Sequence, residues 1–432
     1  MSNLSVVYFK PIENTTYDSE EKTLVKKKAI VLGGTAAHIP LINNLKTRGY
    51  FTILIDYYEN PIAKEVADKH IQESTLDKEK VLEIAKQEKA DLVIATSVDQ
   101  ANSTACFVSE KLGLHVPYSY ETSLRVTDKL LMKRIMIENG IPTSKYCQIK
   151  DVKDCSTHDL SYPVIVKPSD SNGSKGVRKV NTLEELTSYA KQALMISRNG
   201  KAIIEEFKEG KEIGIDCFIT DNEVKVLTAR SRQKIKTSEN TIQQIWGTIH
   251  PAMISEDTNK LLKQITNQIA RVFNLNNTPL IVQVIVNDSE INVLELAPRI
   301  GGGESTRFIK LITGCDILNA SIDSFLGFKV DVNHKVTNGY FSDVLIYAKP
   351  SVFGFISIKE QLLDEKILEY SICYKTKGMK IGEDLSSVNR VGAFVVKSSS
   401  LSDLKDKIKY VIERIEVYDI YGNPTMRKDV YF

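Results

Sequence analysis

The chain has 432 residues, 42% hydrophobic and 26% charged, which suits a soluble globular protein of about three domains. Lys and Arg number 57 against 55 Asp and Glu, a net charge of +2. This balance argues against nucleic acid or an anionic membrane as a partner. No apolar run reaches the roughly 18 residues of a membrane span. The polar N-terminus does not resemble a signal peptide, so we expect a cytoplasmic protein.

The six cysteines are scattered, without a C-x-x-C pair. This usage indicates reduced thiols in a cytosolic enzyme. The six histidines do not accompany the cysteines at the spacing of zinc ligands, which argues against a zinc site.

The first structured region is predicted to be a parallel sheet. Residues 1–27 are polar and read as an arm. Apolar runs at 29–32, 51–55 and 91–95 then alternate with helical stretches at 38–48 and 77–88. This alternation is typical of βαβ units. Gly33-Gly34-Thr35 follows the first run, where backbone N–H groups can approach a phosphate. The full glycine fingerprint is missing, so a plain tight turn is the favoured interpretation.

The middle and end of the chain do not show this regular alternation of strands and helices. Residues 127–139 predict one helix, with Thr127-Asp128 as its start and Asn139-Gly140 as its stop. The pattern then predicts an α+β region with antiparallel strands. Its strand-like runs are at 163–167, 202–206, 213–219, 224–230, 280–286 and 291–296, with helices at 182–196 and 257–273. A last segment, about 335–432, has runs at 340–347 and 392–397 and a helix near 401–416.

Lys167 ends an apolar strand and is followed by a Ser/Gly-rich loop over 169–176. A lysine at the end of a buried run must either reach solvent or meet an anion. The loop offers N–H and hydroxyl donors that can close over phosphates. A hairpin turn with a surface lysine fits the same residues equally well.

Carboxylates follow another buried strand at Glu205 and Glu206, and a further one lies at Glu212. Such a carboxylate can accept a hydrogen bond from a ribose hydroxyl while the strand backbone pairs with the edge of an adenine. A charged strand end in water is the plainer interpretation.

The most informative pattern is a predicted hairpin made of 281–286 and 291–296. It places Gln283 and Glu295 opposite each other on one side, between strongly apolar flanks. Two oxygen ligands on facing strands suit Mg²⁺, which keeps waters and also takes phosphate oxygens. We favour this metal site over a solvent-exposed Gln/Glu pair.

Arg299 and three glycines, Gly301 to Gly303, come directly after the hairpin. An arginine at this distance from a metal ligand can stabilise the charge on a transferring phosphoryl group. The glycines leave backbone donors open to an anionic substrate, although a plain glycine-rich loop has the same pattern.

Taken in order, these elements resemble the ATP-grasp superfamily of carboxylate–amine ligases, which includes carbamoyl-phosphate synthetase, biotin carboxylase, glycinamide ribonucleotide synthetase and L-amino-acid ligases. The resemblance covers roughly residues 29–330. It implies a multidomain α/β and α+β fold: an N-terminal Rossmann-like parallel sheet, a two-lobed ATP-grasp core and a small C-terminal α+β domain. The implied bounds are 1–118 for the arm and first domain, 119–204 for the central helix and small lobe, 205–330 for the large lobe and 331–432 for the last domain.

The resemblance also implies a role for each matching residue, with ATP and Mg²⁺ as cofactors and Mn²⁺ as the alternative metal. The implied ATP-binding residues are the phosphate lysines Lys129 and Lys167, the lid residues Ser171, Gly173, Ser174 and Gly176, the adenine hinge Glu205, Glu206 and Phe207, and the ribose carboxylate Glu212. The implied metal ligands are Gln283 and Glu295. Arg299 and Lys167 are the implied catalytic residues.

The activity implied is the ADP-forming joining of a carboxylate to an amine through an acyl phosphate. An amino acid is the first candidate for the acceptor, ahead of an amino group on a nucleotide precursor or a cell-surface sugar. A non-catalytic ATP-binding regulatory module is the alternative, and the presence of both metal ligands disfavours it. A homodimer is expected only by analogy.

Two positions depart from the family pattern. Ala297 stands where members often carry Asn, which resembles the L-amino-acid-ligase branch and weakens the case for a third protein metal ligand. Gly303 stands where biotin carboxylase has a catalytic carboxylate, and the adjacent Glu304 is out of register. We expect substrate contacts in the segment 231–251, which contains Arg232, Lys234, Trp246 and His250. For the last two, packing is at least as good an explanation.

Overall fold

The computed structural model describes residues 26–156, 159–171, 173–236, 243–359 and 361–431. The predicted arm, apart from its last two residues, therefore lies outside the described residues, as does the middle of the predicted substrate segment at 237–242.

The first unit is a four-stranded parallel sheet in the order β3-β2-β1-β4. Its elements are β1 (Lys28–Leu32), α1 (His38–Thr47), β2 (Phe51–Asp56), β3 (Lys69–Gln72), α2 (Lys78–Glu88), β4 (Leu92–Ile94) and α3 (Asp99–Leu112). The predicted parallel sheet is confirmed. Strand β3 was not predicted, because it is a short edge strand without a buried residue.

The helix predicted over residues 127–139 is confirmed, with its start at Thr127-Asp128, but the separate helix directly before it was not predicted. Helix α4 (Tyr120–Thr127) ends where α5 (Lys129–Glu138) begins. Asp128 between them has an extended backbone, and its carboxylate accepts hydrogen bonds from the N–H groups of Leu130 and Leu131. This side-chain cap starts a new helix and fixes Lys129 as its first residue.

The small lobe is an antiparallel sheet in the order β5-β8-β6-β7, with helix α6 packed against it. Its elements are β5 (Tyr146–Ile149), β6 (Val164–Pro168), β7 (Arg178–Val180), α6 (Leu183–Ile196) and β8 (Ala202–Glu206). Leu186, Ala190 and Ala193 lie on one face of α6 and share a core with Val164 and Val166. The loop predicted to cover phosphates connects β6 to β7.

The large lobe is built on an eight-stranded antiparallel sheet in the order β13-β12-β9-β10-β11-β14-β18-β16. The elements up to residue 330 are β9 (Lys211–Thr220), β10 (Glu223–Lys234), β11 (Ile245–His250), α7 (Glu256–Val272), β12 (Thr278–Asn287), β13 (Glu290–Ala297), α8 (Ser305–Thr313) and α9 (Ile317–Phe325). The antiparallel strands predicted for this region are confirmed.

The remaining elements complete that sheet and add a small one. They are β14 (Tyr340–Tyr347), β15 (Ser351–Ile358), α10 (Gln361–Asp364), β16 (Tyr370–Cys373), β17 (Lys380–Ile381), β18 (Arg390–Ser398), α11 (Leu401–Arg414) and β19 (Ile415–Asp419). Strand β14 pairs with β11, so the large sheet continues across the proposed boundary at residue 330. The observed fold is the multidomain combination of α/β and α+β units that the sequence predicts.

The first unit and the large lobe pack directly against each other. Ile317 and Phe325 of α9 belong to the same hydrophobic core as the parallel sheet. Arg48, directly after α1, also reaches Asp323 of α9, with 2.5 Å between the nitrogen and the oxygen. Within the described residues, no helix is long and apolar enough to cross a membrane.

Candidate active site

A cleft is lined by residues of the small lobe and of the large lobe. A smaller cavity adjoins it and extends towards the first unit, where Asp99 and Gln100 form part of its wall. Four residues line both spaces: Lys129, Ser171, Gln283 and Glu295. Lys129 and the two predicted metal ligands therefore lie at the junction of the two cavities, whereas Lys167 lines only the larger one.

Lys167 is held by a carboxylate that is almost completely buried. Its Nζ lies 2.7 Å from Glu205, and Lys133 of α5 approaches the same carboxylate at 3.4 Å. Burial opposes the charge on Glu205, but the two lysines outweigh it and lower the pKa of that carboxyl. Burial also lowers the pKa of Lys133 to about 8, against the pull of Glu205. The lysine predicted to bind phosphate thus projects into the cleft from a fixed ionic cluster.

Lys133 was not identified from the sequence. It lies four residues after Lys129 on α5, so the two lysines share one face of that helix. Its side chain is only 1% exposed and donates to the hydroxyl of Thr143 at 2.8 Å. Helical spacing from Lys129 was the signal that could have found it.

The predicted hairpin is confirmed as β12 and β13, and Gln283 pairs directly with Glu295. Directly opposed residues of an antiparallel pair point to the same face, and both residues line the cleft. Lys129 donates to Glu295 at 3.1 Å. Lys129 lowers the pKa of Glu295 to about 2, against the effect of burial. An ionised carboxylate beside an amide oxygen fits Mg²⁺, which would complete its shell with waters and phosphate oxygens.

The loop between β6 and β7 covers part of the cleft. Ser171, Gly173 and Ser174 line the larger space, and the carbonyls of Gly173 and Ser174 accept from Gln244 at 3.4 and 3.1 Å. Gly173 has a φ of +61° and lies so close to Ser387 that a Cβ atom would meet its hydroxyl at 2.1 Å. Gly176 instead forms a turn against Pro168, with φ +75°.

The predicted adenine hinge also lines the cleft, but its amides are engaged. The N–H of Glu206 donates to the carbonyl of Lys145 at 3.0 Å, and that of Phe207 to the carbonyl of Pro163 at 3.1 Å. The N–H groups of Glu206 and Phe207 are therefore already engaged within the protein and do not face an adenine as free donors. The carboxylate of Glu205 belongs to the lysine cluster.

Glu212, the predicted ribose carboxylate, lies between two cations. Arg232 approaches it at 2.5 Å and Lys234 forms a second ion pair with it. Burial opposes its ionisation, but Lys234 and Arg232 outweigh burial and lower the pKa of Glu212. Two of the four residues expected to contact substrate thus bind this carboxylate at the cleft wall.

The other two residues of that segment are packing residues. Trp246 is buried, and its ring lies edge-on to Tyr431 with 6.1 Å between centroids. His250 is buried with its Nδ1 3.1 Å from the carbonyl oxygen of Ala229. Burial lowers the pKa of His250 to about 4 and keeps the ring neutral at pH 7.

Arg299 is paired with Asp99, a residue that the sequence analysis did not single out. Two nitrogens of the guanidinium donate to the two oxygens of Asp99, one of them at 2.9 Å. Burial opposes the charge on Arg299, but Asp99 and Glu295 raise its pKa. Asp99 begins α3 soon after β4, and the carboxyl ends of parallel strands are where ligands bind in such sheets. That position was the available signal.

The turn at Gly33-Gly34-Thr35 has no N–H group left for a phosphate. Gly33 donates to the carbonyl of Ile55 at 2.9 Å, Gly34 to Asp56 at 2.6 Å and Thr35 to the ring of His38 at 3.2 Å. The favoured interpretation, a plain tight turn, describes this geometry.

Residues 160–307 match the family model of the ATP-grasp domain. The chain contains an ATP-grasp domain. The matched segment runs from the strand that bears Lys167 to the helix that follows the glycine-rich loop, and so includes the cleft residues from both lobes.

Solved structures with this fold cover nearly the whole chain. L-amino acid ligase from Bacillus licheniformis is similar with a TM-score of 0.73 and 18% identity, over 91% of this chain and 98% of that one. Phosphoribosylglycinamide synthetase from Anaerococcus prevotii has a TM-score of 0.69 and 19% identity, over 91% and 99%.

The biotin carboxylase domain of 2-oxoglutarate carboxylase from Hydrogenobacter thermophilus, solved with MgADP and bicarbonate, has a TM-score of 0.74 and 18% identity, over 93% and 91%. At these identities, the likeness establishes the fold around the ATP-grasp domain. These structural neighbours include an L-amino acid ligase and a biotin carboxylase domain solved with MgADP.

Proposed function

We propose that this protein is an ATP-dependent carboxylate–amine ligase that works through an acyl phosphate. The observation that carries the proposal is the junction of the two cavities. Lys129, Gln283 and Glu295 border both the larger space, where we place the nucleotide, and the smaller one, towards which we place the second substrate. A phosphoryl group placed at this junction can be transferred from one occupant to the other.

In the proposed reaction, an oxygen of the substrate carboxylate attacks the γ-phosphorus of ATP, and the bond to the ADP oxygen breaks. An amine then attacks the carbonyl carbon, inorganic phosphate leaves and the amine loses a proton. The products are an amide, ADP and phosphate. Catalysis of the first step depends mainly on positioning and on stabilising the negative charge of the transferring group.

The chain's own residues have separate parts in this scheme. Lys167, held by Glu205, and Lys129, at the start of α5, place positive charge beside the phosphates. Gln283 and Glu295 would hold Mg²⁺, which neutralises phosphate charge when it is bound. The loop of Ser171, Gly173 and Ser174 covers the cleft and shields a reactive acyl phosphate from water.

The finer assignments extend the resemblance to known ligases. We propose Mg²⁺ as the metal, with Mn²⁺ able to substitute, an amino acid as the first acceptor to test, a cytoplasmic location and a homodimer. The proposed domain bounds are 1–118, 119–204, 205–330 and 331–432, and the large sheet runs across the last of these boundaries.

The proposal is tested by measuring ADP release with Mg·ATP and pairs of carboxylates and amines. Hydroxylamine can replace the amine, because it captures an acyl phosphate as a hydroxamate. Hydroxamate that forms only with ATP, Mg²⁺ and a carboxylate would support the proposal. Tight ATP binding with no ADP release from any pair would contradict it and favour a regulatory nucleotide-binding module.

A further inference from the structure

Two lysines share the buried carboxylate of Glu205, and only one of them faces the cleft. Lys167 lies 2.7 Å from one oxygen of Glu205, and Lys133 lies 3.4 Å from the other. The side chains of Lys133 and Glu205 are 1% and 3% exposed. Lys167 and Glu205 line the cleft, whereas Lys133 lines neither the cleft nor the smaller cavity. An effect of Lys133 on a ligand in the cleft must therefore pass through Glu205.

The amine of Lys133 is fixed by a second partner. It donates to the hydroxyl of Thr143 at 2.8 Å, and that hydroxyl donates to the carbonyl of Val293 at 2.7 Å. Val293 belongs to β13, the strand that also bears Glu295. Burial lowers the pKa of Lys133 to about 8, so the amine still carries its proton at pH 7. Lys133 thus supplies a positive charge at a fixed place behind the cleft wall.

Each of the two lysines assigned to the phosphates faces a carboxylate of its own, and this inference rests on the proposed function because that function assigns them. Lys129 pairs with Glu295, and Lys167 pairs with Glu205. Two lysines and two carboxylates have no net charge, so together they would attract a phosphate only weakly. Lys133 is the third lysine of this group and leaves it with one positive charge in excess.

We propose that Lys133 is a positioning residue for nucleotide binding: it neutralises Glu205, so that Lys167 keeps its positive charge for the phosphates of ATP while the same carboxylate holds it in place. Without Lys133, Glu205 would keep Lys167 as its one charged partner among the described residues. A phosphate that approached this pair would be attracted by Lys167 and repelled by Glu205 at nearly the same distance, which cancels most of the attraction.

Lys133 could instead serve only as a counter-ion for a buried carboxylate, without any effect on the ligand. The selectivity of binding distinguishes the two roles. If the loss of Lys133 only loosens the cleft, adenosine and ATP should both bind more weakly. If it upsets the charge balance beside Lys167, only the ligand that carries phosphates should be affected.

Three variants make this comparison. Lys133→Met keeps the length of the side chain and removes its charge. The double variant Lys133→Met/Glu205→Gln removes one charge of each sign and restores the excess of one positive charge. Arg134→Met is the matched control, because Arg134 is the next residue of α5, is 63% exposed, pairs with Glu138 and lines neither cavity.

The experiment is isothermal titration calorimetry at pH 7 and fixed ionic strength, with Mg·ATP and with adenosine, in the absence of a carboxylate or an amine. In Lys133→Met the Kd for ATP should rise roughly tenfold or more, and the Kd for adenosine should stay within about twofold of the wild type. The double variant should bring the Kd for ATP back to within about threefold of the wild type. Arg134→Met should match the wild type for both ligands.

Each result decides the inference. An unchanged Kd for ATP in Lys133→Met would overturn it and leave the ligase function intact. Equal weakening of ATP and adenosine, or no recovery in the double variant, would also overturn it.

If Lys133→Met does not fold, the double variant decides alone: binding of ATP near the wild-type Kd supports the charge balance, and much weaker binding contradicts it. ATP that binds as expected but is never cleaved with any carboxylate and amine would overturn the ligase function only. A wild type that binds no ATP would overturn both.

Discussion

Two loops of this protein follow buried strands and carry glycines, yet their chemistry differs. In the turn at 33–35, each N–H group has an acceptor within the first unit, including the carboxylate of Asp56. In the loop at 169–176, Ser171, Gly173 and Ser174 line a cleft that also holds Lys167. The comparison teaches that a glycine turn after a strand is a candidate anion site only where a cation such as Lys167 lies beside it.

The largest effect is expected from Lys167→Ala. It removes a positive charge that stands beside the proposed phosphates, and comparable losses of a transition-state donor lower turnover by roughly 100-fold or more. ADP release is the measurement, and thermal unfolding checks that the fold persists. Lys175→Ala is the control from the same loop, because Lys175 is exposed. Full turnover in Lys167→Ala would remove this lysine from the mechanism.

Glu295→Gln should change the metal requirement. The substitution removes the charged oxygen ligand and leaves two amides, which bind Mg²⁺ more weakly. We expect the Mg²⁺ concentration for half-maximal ADP release to rise by roughly tenfold or more. Glu290→Gln, on the exposed end of the same hairpin, should leave it unchanged. An unaltered Mg²⁺ requirement in Glu295→Gln would contradict the metal assignment.

The pH dependence of stability gives a further check on the carboxyl of Glu295. Its pKa falls from 4.5 to about 2 because Lys129 lies beside it. The folded protein binds this proton less readily than the unfolded chain, so its contribution to stability is present above about pH 4.5 and is lost as the pH falls towards 2. The difference in free energy of unfolding between wild type and Glu295→Gln should therefore be constant above pH 5 and shrink below pH 4.5. A difference that stays constant down to pH 2.5 would contradict the ion pair.

A smaller effect, on stability rather than turnover, is expected from Lys133→Met. The pKa of Lys133 falls from 10.5 to about 8 on burial, so between these values the unfolded chain binds more protons and stability rises with pH. Relative to Lys133→Met, the wild type should gain on the order of 3 kcal/mol of unfolding free energy between pH 8 and 10.5. Denaturant titrations at several pH values measure this. If the free energies of unfolding of the two proteins changed equally with pH, Lys133 would have an ordinary pKa.

The sequence was sufficient for the features that local pattern determines. The parallel strands, the antiparallel hairpin and the pairing of Gln283 with Glu295 all follow from short apolar runs and their spacing. Lys167 could be recognised because a charged residue at the end of an apolar strand is conspicuous. Each of these features is recognised from residues within a short stretch of the chain.

The sequence was insufficient where partners come from distant elements. Asp99 and Arg299 are 200 positions apart, and Lys133 meets Glu205 only because α5 packs beside the small lobe. Contacts of this kind depend on tertiary packing, which one sequence does not display.

The smallest effect on turnover is expected at the first loop. The carboxylate of Asp56 accepts hydrogen bonds from the N–H of Gly34 at 2.6 Å and from the N–H of Tyr58 at 2.9 Å. Asp56→Asn replaces it with a weaker acceptor. A poorly satisfied buried N–H group costs about 1–3 kcal/mol of stability, and thermal unfolding should show the loss. ADP release per folded molecule should stay within about twofold of the wild type, since no N–H group of this turn remains for a substrate. If turnover fell as far as in Lys167→Ala without a matching loss of fold, the first loop would be part of the site after all, and the distinction between the two loops would fail.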